Sequence, residues 1–131
     1  MPYKVFISHS SRDTWVAEQI EAHVQQAGAV TFLDERNINF GDDFESVIFN
    51  ELKTIDELLV LLTPWALERP YIWSEIAVAR FREIRVVAVL YGVSLNDLAN
   101  KPVISRTDIL QINDLGNYFE QLKIRVTDKI S

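Results

Sequence analysis

The run LLVLL at Leu58–Leu62 decides the fold of this chain. Five consecutive apolar residues without polar alternation predict a strand that is buried on both faces, as in a parallel sheet covered by helices. The segments around this run alternate between short apolar stretches and helical patterns, which is the order typical of β–α units. The sequence therefore predicts an α/β fold of the flavodoxin-like kind.

Other apolar stretches predict the remaining strands, and periodic apolar residues predict the helices between them. The further predicted strands are Tyr3–Ser8, Ala29–Leu33, Val86–Tyr91 and Asp108–Ile112. The predicted helices are Asp13–Ala27, Phe44–Leu52, Pro70–Glu83 and Tyr118–Val126, with a short capped turn at Leu95–Ala99. We expect one domain over residues 1–131, built on a five-stranded parallel sheet in the order 2-1-3-4-5 with helices on both faces.

Composition excludes several classes of protein. The chain has 131 residues, 48% of them hydrophobic and 24% charged, which is typical of a globular domain with a real core. It contains no cysteine and only two histidines, which argues against disulfides, thiolate chemistry and a His-rich metal site. The net charge of −6 argues against nucleic acid, and no apolar run reaches membrane-spanning length. The N-terminus shows no signal-peptide pattern, so we expect a cytoplasmic protein.

The expected topology also predicts where a ligand would bind. In an open parallel sheet, ligands bind outside the carboxyl ends of the strands, where the strand order reverses. For this order that point lies between the first and third strands. The segments that leave those strands are Ser8–Asp13 and Thr63–Glu75, and the loop Asp34–Asp43 lies beside them.

The sequence lacks the motifs of the phosphate-binding and phosphate-accepting proteins that share this architecture. A phosphate-accepting receiver domain needs acidic residues after the first strand and an Asp at the end of the third, where this chain has Ser8–Ser10 and Thr63-Pro64. Dinucleotide folds need G-x-G-x-x-G after the first strand, and P-loops need a glycine-rich run with a lysine. The chain has four glycines in all and none before Gly28, so these glycine-rich phosphate-binding loops are absent.

Glu75 is the carboxylate that these patterns single out. It is followed by the small and apolar residues Ile76–Ala79, and Tyr71 lies one turn earlier on the same helix face. A solvated helix residue is the alternative reading. Ser8, Ser10 and Ser11 fit helix capping, and as nucleophiles they lack support. Arg36 lies at the same edge of the sheet, where it could meet an anionic ligand such as a pyrophosphate.

Three segments resemble the TIR (Toll/interleukin-1 receptor) domain family, of the bacterial kind. VFISHSSRD (Val5–Asp13) resembles the family's first box, and FLDERNINFGDDF (Phe32–Phe44) its second box, called the BB loop. LLVLLTPWALERPYIWSEIAVA (Leu58–Ala79) resembles the third strand and the helix with the family's catalytic glutamate. Tyr71 replaces the usual tryptophan four residues before that glutamate, and Phe40 replaces the proline of the BB loop's Pro-Gly.

The resemblance implies an enzyme that cleaves NAD+ at the nicotinamide–ribose bond, giving ADP-ribose or a cyclic ADP-ribose, in bacterial antiphage signalling. NAD+ is then the substrate, and neither a metal nor a cofactor is required. Glu75 would be catalytic, and self-association, also with other TIR domains, would use the BB loop Asp34–Asp43. The residues expected to shape the substrate pocket are Phe6, Ser8, His9, Ser10, Arg36, Phe40 and Tyr71.

Two other functions remain open from the sequence. A TIR domain can be a scaffold without catalysis that acts by TIR–TIR assembly. A nucleoside or nucleotide deoxyribosyltransferase would use the same N-glycosidic chemistry with a covalent glutamate. Comparing NAD+ with deoxynucleoside substrates distinguishes these hypotheses.

Overall fold

The computed structural model describes residues 2–33, 50–104 and 107–130. Within them, five parallel strands form one sheet in the order β2-β1-β3-β4-β5, which confirms the predicted topology. The strands are β1 (Lys4–Ser8), β2 (Val30–Leu33), β3 (Glu57–Leu62), β4 (Arg85–Leu90) and β5 (Asp108–Gln111).

The apolar run Leu58–Leu62 forms the centre of the sheet and is buried along its length. Because strand side chains alternate between faces, Leu58 and Val60 belong to one core, and Leu59 and Leu61 belong to the other. A strand with two apolar faces needs a covering layer on each side. The run therefore accounts for helices on both faces of the sheet.

The helices pack on the two faces through regularly spaced apolar residues. Helix α1 (Thr14–Gln26) and the last helix, α3 (Leu115–Ile130), cover one face, whereas α2 (Pro70–Phe81) covers the other. The buried residues of α2 include Ile72, Ile76 and Ala79, as predicted. Gly28 ends α1 with a φ of 102°, and a Cβ there would lie 3.1 Å from Val126 Cγ1, so glycine suits both the turn and the packing.

Helices α2 and α3 differ from the sequence prediction by more than one residue at an end. Helix α2 ends at Phe81 because Glu83 adopts a left-handed conformation with φ 60°, and Ile84 N donates to Ala79 O at 2.9 Å. Glutamate is not a residue that usually ends a helix, so the sequence pattern predicted this helix to continue to Glu83. Helix α3 spans Leu115–Ile130 and follows a 3-10 turn at Ile112–Asp114, so it is longer at both ends than the predicted Tyr118–Val126.

A buried carboxylate joins α3 to the amino edge of the sheet. Glu57, the first residue of β3, is 0% exposed, and its oxygens accept hydrogen bonds from Tyr3 Oη at 2.7 Å and from Tyr118 Oη. Arg125 reaches the same carboxylate through Nε at 3.0 Å and Nη2 at 3.2 Å. Glu57 therefore has a structural role, and these partners explain why a charged residue can begin a buried strand.

The two tyrosines of this cluster make stability sensitive to alkaline pH. Burial, then the negative charge of Glu57 and the hydrogen bond to it, raise the pKa of Tyr3 and of Tyr118 far above the ordinary value of 10.0. Their protonated forms thus stabilise the fold fully below about pH 10, and this contribution is lost as the pH rises further. We expect the free energy of unfolding to fall above pH 10 by at most about 1.4 kcal/mol per pH unit for each tyrosine.

Denaturant titrations of the wild type and of Tyr3→Phe/Tyr118→Phe between pH 8 and 11.5 check this expectation. The double variant should have the shallower alkaline slope. Equal slopes in the two proteins would contradict the assignment of this pH dependence to the cluster.

Candidate functional site

The carboxyl edge of the sheet brings together the segments that follow β1 and β3. Ser8 is the last residue of β1, and Glu75 lies in the second turn of α2. Ser8 Oγ donates a hydrogen bond to Glu75 Oε1 at 3.1 Å. Two residues 67 positions apart thus meet at the switch point predicted from topology, and Glu75 is not a solvated helix residue.

Glu75 is enclosed, with only 1% of its surface exposed. A buried carboxylate is energetically unfavourable unless its surroundings stabilise it, and buried carboxylates with a defined partner gather at functional sites. The neighbours along α2 explain the enclosure, since Ile72, Ile76 and Ala79 draw this helix onto the sheet. A substrate can reach the carboxylate only when covering groups move.

The turn after β1 supplies further polar groups beside Glu75's helix. Tyr71 Oη donates to the carbonyl of His9 at 3.1 Å, a second link between α2 and this turn. His9 is 2% exposed, and its Nδ1 donates to the Ser10 carbonyl at 2.7 Å. Within the part of the chain that the structure describes, Nε2 has no hydrogen-bond partner. Ser10 Oγ caps the following 3-10 turn by accepting from Arg12 N at 3.2 Å.

Asp13 and Thr63 form a contact that the sequence analysis missed. Both are buried, 5% and 1% exposed, and Thr63 Oγ1 donates to Asp13 Oδ2 at 2.5 Å. The guanidinium of Arg12 lies 5.9 Å from the ring centre of Trp65, which adds a cation–π contact between the same two segments. Each residue alone looks like an ordinary loop residue. The predicted topology places both after the carboxyl ends of neighbouring strands, and this is the one feature of the sequence that could have indicated the contact.

The other predicted site residues have different positions. Phe6 is fully buried in the core, where its ring stacks on Phe32 with the ring centres 5.0 Å apart, so it supports the site from beneath. Arg36 and Phe40, with the rest of the loop Asp34–Asp43, lie outside the described residues.

Two open cavities lie at the opposite, amino edge of the sheet. One of about 330 Å³ is bordered by Arg85, Asp108, Tyr118 and Arg125, and one of about 350 Å³ by Arg80, Arg85 and Asp108. Neither includes Glu75. Among residues 2–33, 50–104 and 107–130, no three histidine, aspartate or glutamate side chains converge as a metal site would require.

Comparison with known families agrees with this fold. The sequence model of the TIR domain matches residues 5–124. The chain belongs to the TIR domain family. This match covers β1 with its polar turn, β3 and α2, so the Ser8–Glu75 pair lies inside the TIR domain. No helix among the described residues is long and apolar enough to cross a membrane.

Known proteins similar to this TIR domain include enzymes and a receptor. A probable 2′ cyclic ADP-D-ribose synthase from Brachypodium distachyon is 24% identical over 118 residues, which are 88% of this chain. The chain spans about half the length of that relative, 53%. The TIR domain of a Toll-related receptor from Hydra magnipapillata has a TM-score of 0.71 at 17% identity, covering 92% of this chain and 98% of that one. A CMP N-glycosidase from Clostridium botulinum has a TM-score of 0.61 at 15% identity, with the same coverage of 92% and 98%. At identities of 17% and 15%, the likeness to these two structures shows that the fold is shared and nothing more.

Proposed function

We propose that this TIR domain cleaves NAD+ at the bond between nicotinamide and ribose, with Glu75 as the catalytic carboxylate. The observation that carries the proposal is the buried Glu75 carboxylate, bonded to Ser8 at the edge where this fold binds ligands. The Brachypodium relative, a probable 2′ cyclic ADP-D-ribose synthase, supports the same class of reaction.

The chemistry needs little more than a well-placed negative charge. Nicotinamide leaves NAD+ with the bonding electron pair and departs as a neutral molecule, so no general acid has to protonate it. The ribose becomes positively charged at its anomeric carbon, and a nearby carboxylate stabilises that charge. Attack by water gives ADP-ribose and releases a proton. Attack by the substrate's own adenine or ribose gives a cyclic product.

The polar turn after β1 is the proposed wall of the substrate pocket. Ser8 would share its hydroxyl between Glu75 and a ribose hydroxyl, and the buried His9 Nε2 would contact a polar group of the substrate. Tyr71 and Ser10 hold the shape of this turn through their hydrogen bonds.

Two loop residues complete the proposed pocket on the basis of sequence. Arg36 would bind the pyrophosphate of NAD+, because a guanidinium can donate two parallel hydrogen bonds to phosphate oxygens. Phe40 would contact the substrate or a neighbouring domain.

Self-association is proposed to open the enclosed site. Glu75 is 1% exposed, so activity requires covering groups to move, and docking of TIR domains through the BB loop would provide the driving interaction. We expect the variant Phe40→Ala/Gly41→Pro to weaken association at high concentration and to lower NAD+ cleavage with it. Sedimentation and activity are measured on the same samples. Unchanged assembly in the variant would show that Asp34–Asp43 is not the interface.

The proposed biological setting is antiphage signalling in the bacterial cytoplasm. The basis is the resemblance of the three boxes to bacterial TIR domains. Phage plating on bacteria that express the wild-type protein or Glu75→Gln tests it. Equal plaque numbers on the two strains, with equal protein levels, would argue against an antiphage role that depends on cleavage.

Incubation of the concentrated protein with NAD+, followed by mass spectrometry, tests the proposed reaction. Nicotinamide together with ADP-ribose or a cyclic isomer is the expected result. Parallel incubations use CMP and deoxynucleosides, because a neighbour in fold is a CMP N-glycosidase and a deoxyribosyltransferase would use the same bond type. Release of a base from these compounds but not from NAD+ would reassign the substrate. Assembly without any cleavage would favour the scaffold function.

A further inference from the structure

A buried hydrogen bond between side chains joins Asp13 and Thr63, which lie in the segments that follow β1 and β3. The donor is a neutral hydroxyl, and the acceptor is a carboxylate that is 5% exposed. Bonds from a hydroxyl to a carboxylate are among the stronger hydrogen bonds in proteins, especially where water is excluded. The two residues are 50 positions apart, so their bond fixes one loop against the other.

Thr63 also begins the segment that leads into the helix of Glu75. Its Oγ1 accepts from Ala66 N at 3.1 Å, and its carbonyl accepts from Leu67 N at 3.1 Å, which together shape the 3-10 turn Ala66–Glu68. Trp73 Nε1 then donates to the Leu67 carbonyl at 3.0 Å and ties the first turns of α2 to this segment. A displacement at Thr63 would therefore reach the start of α2.

We infer that Asp13 and Thr63 are positioning residues for Glu75. Asp13 holds the Thr63 hydroxyl, the hydroxyl holds the Ala66–Glu68 turn, and that turn sets where α2 begins. Glu75 is five residues beyond the helix start at Pro70, so a rigid helix carries any shift to its carboxylate. This inference rests on the proposed NAD+ cleavage. It adds that the position of the Glu75 carboxylate depends on the Asp13–Thr63 bond, which acts through the backbone of residues 63–75.

Two substitutions at Thr63 separate the hydroxyl from the shape of the side chain. Thr63→Val keeps the volume but loses both the donor to Asp13 and the acceptor for Ala66 N, whereas Thr63→Ser keeps both. We expect Thr63→Val to lower kcat at least about tenfold, since misplacement of a reacting group by about 1 Å can reduce rates 10²-fold. KM should stay within about twofold, because the pair is not expected to bind substrate. Thr63→Ser should return kcat to within about threefold of the wild type.

A hydroxyl deletion at the other edge of the sheet is the matched control for lost stability. Tyr118→Phe removes a buried donor to Glu57 and weakens the fold far from Glu75. With all variants assayed at a temperature where circular dichroism shows them folded, Tyr118→Phe should keep the kcat of the wild type. The inference is overturned if Tyr118→Phe lowers kcat as much as Thr63→Val does. It is also overturned if Thr63→Val raises KM alone, or if it cleaves like the wild type.

Amide hydrogen exchange tests the positioning without any need for activity. Thr63→Val should accelerate exchange at least about tenfold in residues 66–75 and leave β4 and α3 unchanged, whereas Thr63→Ser should match the wild type. An equal acceleration across the chain, or none, overturns the inference. If the wild type cleaves no NAD+, the proposed function fails by itself, and the exchange pattern still decides whether the pair holds this segment.

Discussion

Glu75→Gln is expected to reduce NAD+ cleavage by a factor of about 10²–10³ while leaving the protein folded. The amide keeps the volume of the side chain and an oxygen that can accept from Ser8 Oγ. It removes the negative charge that would face the ribosyl cation in the transition state. Nicotinamide release under assembling conditions measures the rate, and thermal unfolding measured alongside it reports the fold.

Glu18→Gln is a matched control for this change. Glu18 is exposed on α1, so the same loss of charge should alter stability by at most about 0.5 kcal/mol and leave cleavage unchanged. Cleavage by Glu75→Gln within a few-fold of the wild type would remove Glu75 from the mechanism. Loss of cleavage together with loss of the fold would give Glu75 a structural role instead.

Among the substitutions proposed here, Arg125→Met is expected to lower the free energy of unfolding the most, by about 3 kcal/mol. The substitution removes the cation beside Glu57, whose side chain is 0% exposed, and leaves a buried negative charge with only the two tyrosine hydroxyls from the present cluster. Methionine keeps most of the apolar stem of the arginine side chain. Urea unfolding followed by circular dichroism gives the free energy of unfolding.

A second ion pair at the same edge provides the control. Lys129 Nζ lies 2.7 Å from Asp56 Oδ2, but the side chains of the pair are 32% and 25% exposed, so Lys129→Met should cost less than about 1 kcal/mol. Adding Glu57→Gln to Arg125→Met should recover part of the loss, because the buried charge is then gone. If Arg125→Met costs no more than Lys129→Met, the cluster does not stabilise the fold as described.

The topology could be predicted because it depends on short-range patterns. The doubly apolar Leu58–Leu62 run, the regular alternation of elements and the glycine stop at Gly28 each follow from local sequence. The beginning of β3 at Glu57 could not be predicted in the same way. A charge enters a buried strand there only because Tyr3, Tyr118 and Arg125 arrive from distant parts of the chain.

The candidate site shows the same division between local and distant information. Glu75 stood out because small and apolar residues follow it on its helix, and topology placed it beside Ser8. The burial of the Glu75 side chain could not be predicted, because it depends on how closely α2 packs against the sheet. The Asp13–Thr63 bond was missed because each residue alone is typical of a turn, and only the folded structure places the two side chains 2.5 Å apart.

A crystal structure with a carbocyclic NAD+ analogue tests most directly whether Glu75 acts on the ribose of NAD+. In this analogue a carbon atom replaces the ribose ring oxygen, so the bond to nicotinamide cannot be cleaved. We expect the Glu75 carboxylate to lie within about 3.5 Å of the carbon that carries nicotinamide, or to bind the ribose hydroxyls. An analogue bound elsewhere, for example in the cavity beside Arg85 and Asp108 while Glu75 stays enclosed, would contradict the account.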